Sequence, residues 1–428
     1  MSALRRHVLA NGMTILLKEV WHAPICSWWM LYRVGSRDET AGMTGAAHWV
    51  EHMMFRGTER FPMGRMDGAI DRLGGIWNAQ TAQDYTAYYS TLPVAHVQLV
   101  LEAEADRMRN LTFLAEDVEA ERRIILAERR SAANDPLFAL DERMNHCAFT
   151  KHGYRHEILG NEEDLQRMDR EPLWRFYRQH YVPEQAIGVA VGAFESERML
   201  AMIAQHFDAE QYAGIASASA PLPAKRLPVE PAQSSERRFN VEWDGENEFL
   251  EMAYRVPSAT HEDWYALSVL ASLLAGPSGP GSGNVDNRSC RLYEALVKTG
   301  RAVAIDGNLS PRCDPYLYHL TITLQHGRDL AEVEGIALAE IERMRAGEIR
   351  DDELSRAKKQ TRALFAYSSE GVTGQGFWLS FAENLAGYEW FERYVQRIDA
   401  VSGEQVQRVA RQYFRPEQRI IGWLRARA

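Results

Sequence analysis

The spacing of apolar and polar positions along the chain predicts a series of strands and helices. Residues 8–18 have apolar runs on both sides of Asn11-Gly12, which is a strong signal for a β-hairpin. The apolar segments at 26–34 and 186–192 predict buried strands. Helical patterns follow near residues 43–56, 63–73, 93–110 and 116–132. Strands and helices in blocks, rather than in strict alternation, indicate an α+β fold with an antiparallel sheet covered by helices.

The chain contains an internal repeat. The segment from Tyr32 to Ser36 (Tyr-Arg-Val-Gly-Ser) recurs 222 positions later as Tyr-Arg-Val-Pro-Ser, and residues 178–185 resemble residues 411–418, which lie 233 positions further on. Two matches in the same order with similar offsets predict a duplicated domain of about 200 residues. Residues 216–236 are rich in Ala, Ser and Pro, which favours an extended linker. We therefore predict domains at residues 1–215 and 237–428, joined by this linker.

Composition narrows the class of protein. Of the 428 residues, 46% are hydrophobic and 25% charged, which is typical of well-packed globular domains. The net charge of −10 and the lack of a Lys/Arg-rich run argue against nucleic acid as a partner. No apolar run approaches the roughly 20 residues of a membrane helix, and the N-terminal segment lacks a signal-peptide pattern. We therefore expect no membrane partner and a cytoplasmic location, with a periplasmic location as the alternative.

A pattern suited to metal binding lies in the first predicted helix. His48, Glu51 and His52 form an H-x-x-E-H motif, and at about 100° per residue the three side chains share one side of that helix. The opposite side is apolar. Two histidines at i and i+4 can each present a ring nitrogen about 2 Å from one Zn²⁺, and the carboxylate between them can take a proton from a water molecule at the metal. The alternative is that each histidine is an ordinary surface or core residue.

Zinc needs a third protein ligand. The four cysteines lie far apart and form no C-x-x-C pair, so they predict neither a zinc knuckle nor a disulfide framework. The best candidates are Glu121 and Glu128, which are seven residues apart on one helical stripe with Ile125 between them. Carboxylates on such a stripe are expected to point at a cation. Taken singly, each is also compatible with a solvated surface glutamate.

These motifs resemble the pitrilysin/insulinase family of zinc peptidases, especially the group of mitochondrial processing peptidase and its bacterial relatives. Glu128 lies 76 residues after His52, in a segment similar to the family's E-x-x-V-I-x-x-E helix. The resemblance spans nearly the whole chain and implies that His48, His52 and Glu128 bind one Zn²⁺. It also implies that Glu51 is the general base and that Glu121 orients a ligand. The implied fold is two homologous α+β domains that form half of a clamshell.

Two further segments are similar to segments of the family. Residues 74–81 resemble its edge strand, which binds an extended peptide through main-chain hydrogen bonds. The candidate substrate-binding residues are therefore Trp77, Asn78, Ala79, Gln80 and Thr81; the alternative is an ordinary exposed strand. Residues 276–283 resemble the glycine-rich loop of the non-catalytic processing-peptidase subunit. That similarity predicts either a mobile substrate-handling loop or a long flexible turn.

The second half of the chain departs from the metal-binding pattern. At the offset of 222, the H-x-x-E-H positions correspond to three leucines, Leu270, Leu273 and Leu274, so we expect a domain without a metal site. Family members that are active alone also carry an arginine and, seven residues later, a tyrosine in this half. The corresponding residues are Val297 and Ala304, neither of which can donate a side-chain hydrogen bond.

The absence of the arginine and the tyrosine changes the function that the resemblance predicts. Arg291 and Arg301 lie nearby, but the alignment does not favour either as a substitute. The resemblance therefore implies a zinc endopeptidase subunit that cleaves peptides or short unfolded segments. A homologous partner subunit would supply the arginine and tyrosine. The alternatives are a non-hydrolytic peptide-binding or scaffold subunit, and a zinc hydrolase that acts on a non-peptide amide.

Overall fold

The protein forms two compact units, each built around one sheet. The computed structural model describes residues 4–207, 227–278 and 288–427. Unit 1 consists of Met1–Ala132, Lys151–Val229 and Ser369–Glu389. Unit 2 consists of Ala133–Thr150, Glu230–Ser368 and Trp390–Ala428. The predicted α+β class is confirmed, since both sheets are mainly antiparallel and are covered by helices.

Eleven strands and fourteen α-helices occur in the described ranges. The strands are β1 (Arg5–Val8), β2 (Thr14–Glu19), β3 (Ile25–Tyr32), β4 (Ile76–Thr81), β5 (Thr86–Pro93), β6 (Ala186–Gly192), β7 (Arg237–Trp243), β8 (Phe249–Val256), β9 (Ala302–Leu309), β10 (Tyr316–Leu324) and β11 (Arg419–Ala426). The helices are α1 (Ala46–Arg56), α2 (Arg65–Arg72), α3 (Val97–Asn110), α4 (Ala115–Ala132), α5 (Pro136–Ala148), α6 (Glu162–Arg167), α7 (Arg170–His180), α8 (Ser196–His206), α9 (Trp264–Leu274), α10 (Leu330–Ala346), α11 (Asp351–Ser368), α12 (Val372–Leu385), α13 (Glu389–Asp399) and α14 (Gly403–Tyr413).

The sheet of unit 1 has the order β1-β2-β6-β3-β5-β4. Strands β2 and β6 are parallel and the other neighbours are antiparallel. The predicted hairpin is present: β1 and β2 are joined across Asn11-Gly12, where Gly12 has a φ of +87° that favours glycine. The central strand β3 is almost wholly buried, because helices cover both of its faces. Strand β4 lies at the sheet edge, as predicted.

The sheet of unit 2 repeats this arrangement, and within the described residues it has no counterpart of β1. Its order is β7-β11-β8-β10-β9, again with one parallel pair, β7 and β11, at the same position. The register also repeats: Tyr32 pairs with Ala186, and Tyr254 pairs with Arg419. Both partners directly follow a Pro-Glu-Gln turn. The duplication predicted from the sequence is therefore visible in the hydrogen-bonded register of the strands.

Each unit contains one helix from the other half of the chain. Helix α5 packs against β7 and β11 of unit 2, where Leu140 shares a small core with Phe249 and Leu424. Helix α12 packs against β3 and β6 of unit 1, and Gly376 lies directly against the Trp29 ring. The predicted division into 1–215 and 237–428 does not include this exchange. Helical periodicity identifies an apolar face but not the sheet that will cover it.

Two predicted segments fall partly outside the described residues. Of the predicted linker 216–236, only residues 227–236 are described, and they have no helix or strand before β7 begins. Of the glycine-rich segment 276–283, residues 279–283 lie outside the described part. Among the described helices, none combines the length and the hydropathy that crossing a membrane requires.

Candidate metal centre

Helix α1 is fixed in place from its first residue. It begins after Gly45, whose φ of 91° lies in the left-handed region. The buried carboxylate of Glu39 accepts hydrogen bonds from the backbone N–H groups of Gly45 and Ala47, each at 2.8 Å. A carboxylate at this end of a helix satisfies free N–H groups and is favoured by the helix dipole. The apolar side of α1 is buried in the core of unit 1, through Ala46, Ala47, Trp49, Val50, Met53 and Met54.

The other side of α1 presents the predicted metal ligands. One ligand atom from each of His48, His52 and Glu128 lies within 4.8 Å of the other two. Glu128, on α4, has its Oε2 atom 3.8 Å from His48 Nε2 and 3.6 Å from His52 Nε2. Ligands about 2.0–2.1 Å from a tetrahedral zinc ion are roughly 3.3 Å apart, so these three groups fit one such ion with small side-chain movements.

Glu121 holds His52 in the orientation that metal binding needs. Its carboxylate accepts a hydrogen bond from His52 Nδ1 at 2.7 Å, and a second from Arg56 Nε at 2.6 Å. A proton on Nδ1 leaves the lone pair on Nε2, which is the nitrogen facing Glu128. Arg56 also lies 3.6 Å from Asp117, so α1 and α4 are joined by several charge pairs. Arg56 was not among the predicted site residues, although it lies four residues after His52 on the same helix.

The two histidines differ in their acid–base properties. Burial, together with the nearby imidazole of His52, lowers the pKa of His48 to about 3, so its ring is neutral. Burial also lowers the pKa of His52, but the Glu121 hydrogen bond and the surrounding carboxylates outweigh burial and leave that pKa raised. Glu121 itself has a lowered pKa, because its bonds to His52 and Arg56 exceed the opposing effect of burial. The carboxylate therefore stays ionised beside the imidazole.

Glu51 lies on the same side of α1 as the histidines. Burial raises its pKa, and the hydrogen bond from Thr81 opposes that rise without cancelling it. The Thr81 hydroxyl donates to Glu51 Oε2. A carboxylate with a raised pKa is a stronger proton acceptor than one in water. Arranged beside the histidines, this group suits the role of general base.

The five predicted substrate-binding residues lie on β4, whose only neighbour in the described sheet is β5. Strand β4 is also tied to α1, because the Trp77 ring packs edge-on against Phe55 with centroids 5.1 Å apart. Trp77 Nε1 donates to Asp67 on α2 at 2.9 Å, and Gln80 Nε2 donates to the Tyr85 hydroxyl at 3.1 Å. The structure brings Thr81 directly to Glu51, whereas Trp77 to Gln80 follow along the strand. An edge strand can pair its free backbone groups with an extended peptide.

The corresponding helix of unit 2 carries no comparable groups. The three leucines at the offset of 222 are buried on α9, as predicted. Val297 ends a π-helical turn and Ala304 lies on β9. Arg291 forms an ion pair with Glu353, and Arg301 donates to Glu332 at 2.8 Å, so both arginines have partners within unit 2.

Unit 2 contains a different cluster, which was not predicted from the sequence. His319 Nδ1 on β10 lies 2.7 Å from Glu251 Oε1 on β8 and 3.3 Å from Asp141 Oδ1 on α5. The three residues form an ionic cluster in which the N–H at His319 Nδ1 is shared between the carboxylates of Glu251 and Asp141. The three residues are far apart in sequence and form no spaced motif, so nothing in the local pattern indicated that they meet.

The fold consists of two α+β units, of which the first carries a candidate metal centre. A model described as "Insulinase (Peptidase family M16)" matches residues 14–162, and one described as "Peptidase M16 inactive domain" matches residues 167–361. The chain belongs to this family, the insulinase/pitrilysin or M16 peptidases, and the resemblance inferred from the sequence is confirmed.

Several relatives match along most of their length. Zinc protease PqqE of Helicobacter pylori is 28% identical over 399 residues, covering 91% of this chain and 85% of that protein. An uncharacterized zinc protease of Mycobacterium leprae is 28% identical over 412 residues, covering 95% and 88%. Among solved structures, a protease from Helicobacter pylori matches with a TM-score of 0.89 and 25% identity, covering 99% of this chain and all of that one (100%). A peptidase M16 inactive domain from Pseudomonas fluorescens shares the fold, with a TM-score of 0.85, 16% identity, and 100% and 98% coverage.

Proposed function

We propose that this chain is the zinc-bearing subunit of an endopeptidase that cleaves peptides or short unfolded segments. The observation that supports this most directly is the convergence of His48, His52 and Glu128 on one point, with Glu51 beside them. When bound, Zn²⁺ supplies a Lewis acid that polarises a peptide carbonyl and makes water more acidic. A scaffold would have no use for these groups, which are costly to hold partly buried.

The chain's own residues provide the proton transfers. Glu51 takes a proton from the attacking water and passes it to the leaving amine, which is general base and then general acid catalysis. Its raised pKa favours the first step, because the buried carboxylate is a stronger proton acceptor than one in water. Glu121 keeps the Nε2 atom of His52 available as a ligand.

Strand β4 is the proposed binding site for the substrate backbone. Main-chain hydrogen bonds to an added strand accept many sequences, which suits peptides of varied composition. Trp77, Asn78, Ala79, Gln80 and Thr81 would lie along the bound peptide. The ring of Trp77 is held by Phe55 and Asp67, so the strand is ordered before a peptide binds.

The active site is proposed to be completed by a homologous partner chain. Val297 and Ala304 offer no side-chain donor, and both nearby arginines are engaged with glutamates. Removing one preorganised donor to a developing oxyanion costs about 10²–10³ in rate, so the loss of two makes this chain a poor enzyme by itself. A partner carrying the arginine and tyrosine would restore both contacts.

The test combines metal analysis with peptide cleavage. The purified chain is expected to hold one Zn²⁺, to lose it to a chelator, and to cleave peptides very slowly. Adding a homologous chain that lacks H-x-x-E-H should restore cleavage without changing the zinc content. Full activity of this chain alone would overturn the partner proposal, and the absence of zinc binding would overturn the proposed function as a whole.

A further inference from the structure

We infer that Thr81 is a positioning residue for Glu51: its hydroxyl fixes the carboxylate of the proposed general base and joins it to the edge strand. This inference rests on the proposed function of the site, in which Glu51 moves protons and β4 binds the peptide. Thr81 thus has a role distinct from that of the other β4 residues. In addition to the place along the bound peptide that it shares with those residues, it acts on the base through a side-chain hydrogen bond.

The geometry singles out Thr81 among the residues of the strand. It is the last residue of β4 and pairs with Thr86 of β5. Its Oγ1 atom donates to Glu51 Oε2, and no second hydrogen bond of the Glu51 side chain is found in the described part of the chain. One carboxylate oxygen is therefore held while Oε1 stays available as the proton acceptor.

A glutamate needs such a tether because its side chain has three rotatable bonds. Without a donor on Oε2, the carboxylate would occupy several rotamers, of which only some direct an oxygen toward the histidines. Displacing a catalytic group by about 1 Å can reduce the rate by about 10²-fold. The Thr81 bond selects one orientation before substrate arrives.

The same bond links peptide binding to the base. Strand β4 contacts α1 at both ends: Trp77 packs on Phe55 near its start, and Thr81 binds Glu51 at its end. A peptide that pairs with β4 would therefore lie in a fixed position relative to the Glu51 carboxylate. This arrangement gives the chain a defined distance between the substrate backbone and the proton acceptor.

The test compares Thr81→Val, which keeps the shape but removes the hydroxyl, with Thr81→Ser, which keeps the hydroxyl. In the zinc-loaded complex with its partner, Thr81→Val is expected to lower kcat about 10- to 100-fold, with KM within about twofold of wild type. Thr81→Ser should retain most of kcat. Zinc content and melting temperature should match wild type in both. An unchanged kcat in Thr81→Val, or a rise in KM alone, would overturn the inference.

A second measurement decides the question without activity. Crystal structures of the zinc-loaded wild type and both variants should show the Glu51 carboxylate in one orientation in wild type and Thr81→Ser. In Thr81→Val it should be displaced or in several orientations. If the wild type binds zinc but cleaves no peptide, the proposed function fails, yet these structures still test the tether. An identical Glu51 orientation in all three would overturn the inference.

Discussion

Helices α1 and α9 follow equivalent strands of two sheets that share the order of five strands, yet α1 has a polar side and α9 is almost wholly buried. Each follows the strand that carries the repeated Tyr-Arg-Val segment. One side of α1 is buried and the other presents His48, Glu51 and His52, whereas almost every residue of α9 is buried. The fold thus tolerates an almost wholly buried helix without charged residues at this position. In unit 1, polar groups occupy part of the corresponding helix surface. Keeping them partly buried costs free energy, which indicates that they have a function.

The sheet faces that point away from α1 and α9 also differ between the two units, but there the polar groups are in unit 2. In unit 1, Trp29 stacks on Tyr89 with centroids 4.4 Å apart and contacts Phe377 of α12 at 5.6 Å. The residue 222 positions after Trp29 is Glu251, which takes part in the ionic cluster with His319 and α5. At this matched strand position the contact is therefore aromatic in unit 1 and ionic in unit 2. Duplicated positions keep the backbone plan but not the chemistry of the contact.

The largest expected effect on activity comes from Glu51→Gln, on the polar side of α1. We expect zinc content and melting temperature to stay close to wild type, since the three ligands remain, while turnover in the completed enzyme falls about 10²–10⁴-fold because the proton acceptor is lost. Zinc analysis and steady-state kinetics on the same preparation measure both. Retained turnover in Glu51→Gln would show that another group is the base.

Leu273→Glu tests the comparison from the side of unit 2, because it places the Glu51 carboxylate at the matching position of α9. Leu273 is buried, and an unpaired charge there should lower the free energy of unfolding by about 3–5 kcal/mol. Denaturant unfolding measures the loss. Glu51→Leu in α1 is the matched control and should leave stability unchanged or improved. Equal stability of Leu273→Glu and wild type would mean that α9 is not the core element described above.

Glu121→Gln should have a smaller effect. The amide still occupies the space but binds His52 Nδ1 and Arg56 more weakly, so zinc affinity should fall about 10- to 100-fold. A competition assay with a chelator gives the ratio directly. Glu119→Gln, an exposed residue on the same helix that binds Arg122, serves as the control and should leave affinity unchanged. Equal zinc affinities of the two variants would show that Glu121 does not orient His52 for metal binding.

Local spacing predicted the parts of the site that one helix determines. Because i, i+3 and i+4 share a helix side, the pattern alone brought His48, Glu51 and His52 together. Choosing Glu128 rather than Glu121 as the ligand needed the family resemblance, since both lie on one stripe of α4. The hydrogen bond between Glu51 and Thr81 was not predictable, because it joins residues 30 positions apart on different elements. The helix exchange and the ionic cluster were missed for the same reason: tertiary packing decides them.

The smallest predicted effect is the pH dependence of zinc binding. In the metal-free chain, burial lowers the pKa of His52, but the Glu121 hydrogen bond and the nearby carboxylates outweigh burial and leave that pKa raised. Zinc requires the neutral ring, so the proton that makes His52 cationic must leave on binding. Affinity should be flat above the raised pKa of His52 and fall by up to about tenfold per pH unit below it. His48 adds no further dependence near neutral pH, since its pKa is about 3.

The free energy of unfolding of the metal-free chain also depends on pH, through the protonation of His52. A group whose folded pKa is raised stabilises the fold fully below its unfolded pKa, and this contribution is lost as pH rises through the folded pKa. The melting-temperature gain on adding zinc should therefore grow over the pH range in which His52 loses its proton. Glu121→Gln removes the main group that raises the pKa of His52, so its affinity should begin to fall only at a lower pH. Zinc affinity of the wild type that stays constant across this range would contradict the assigned proton on His52.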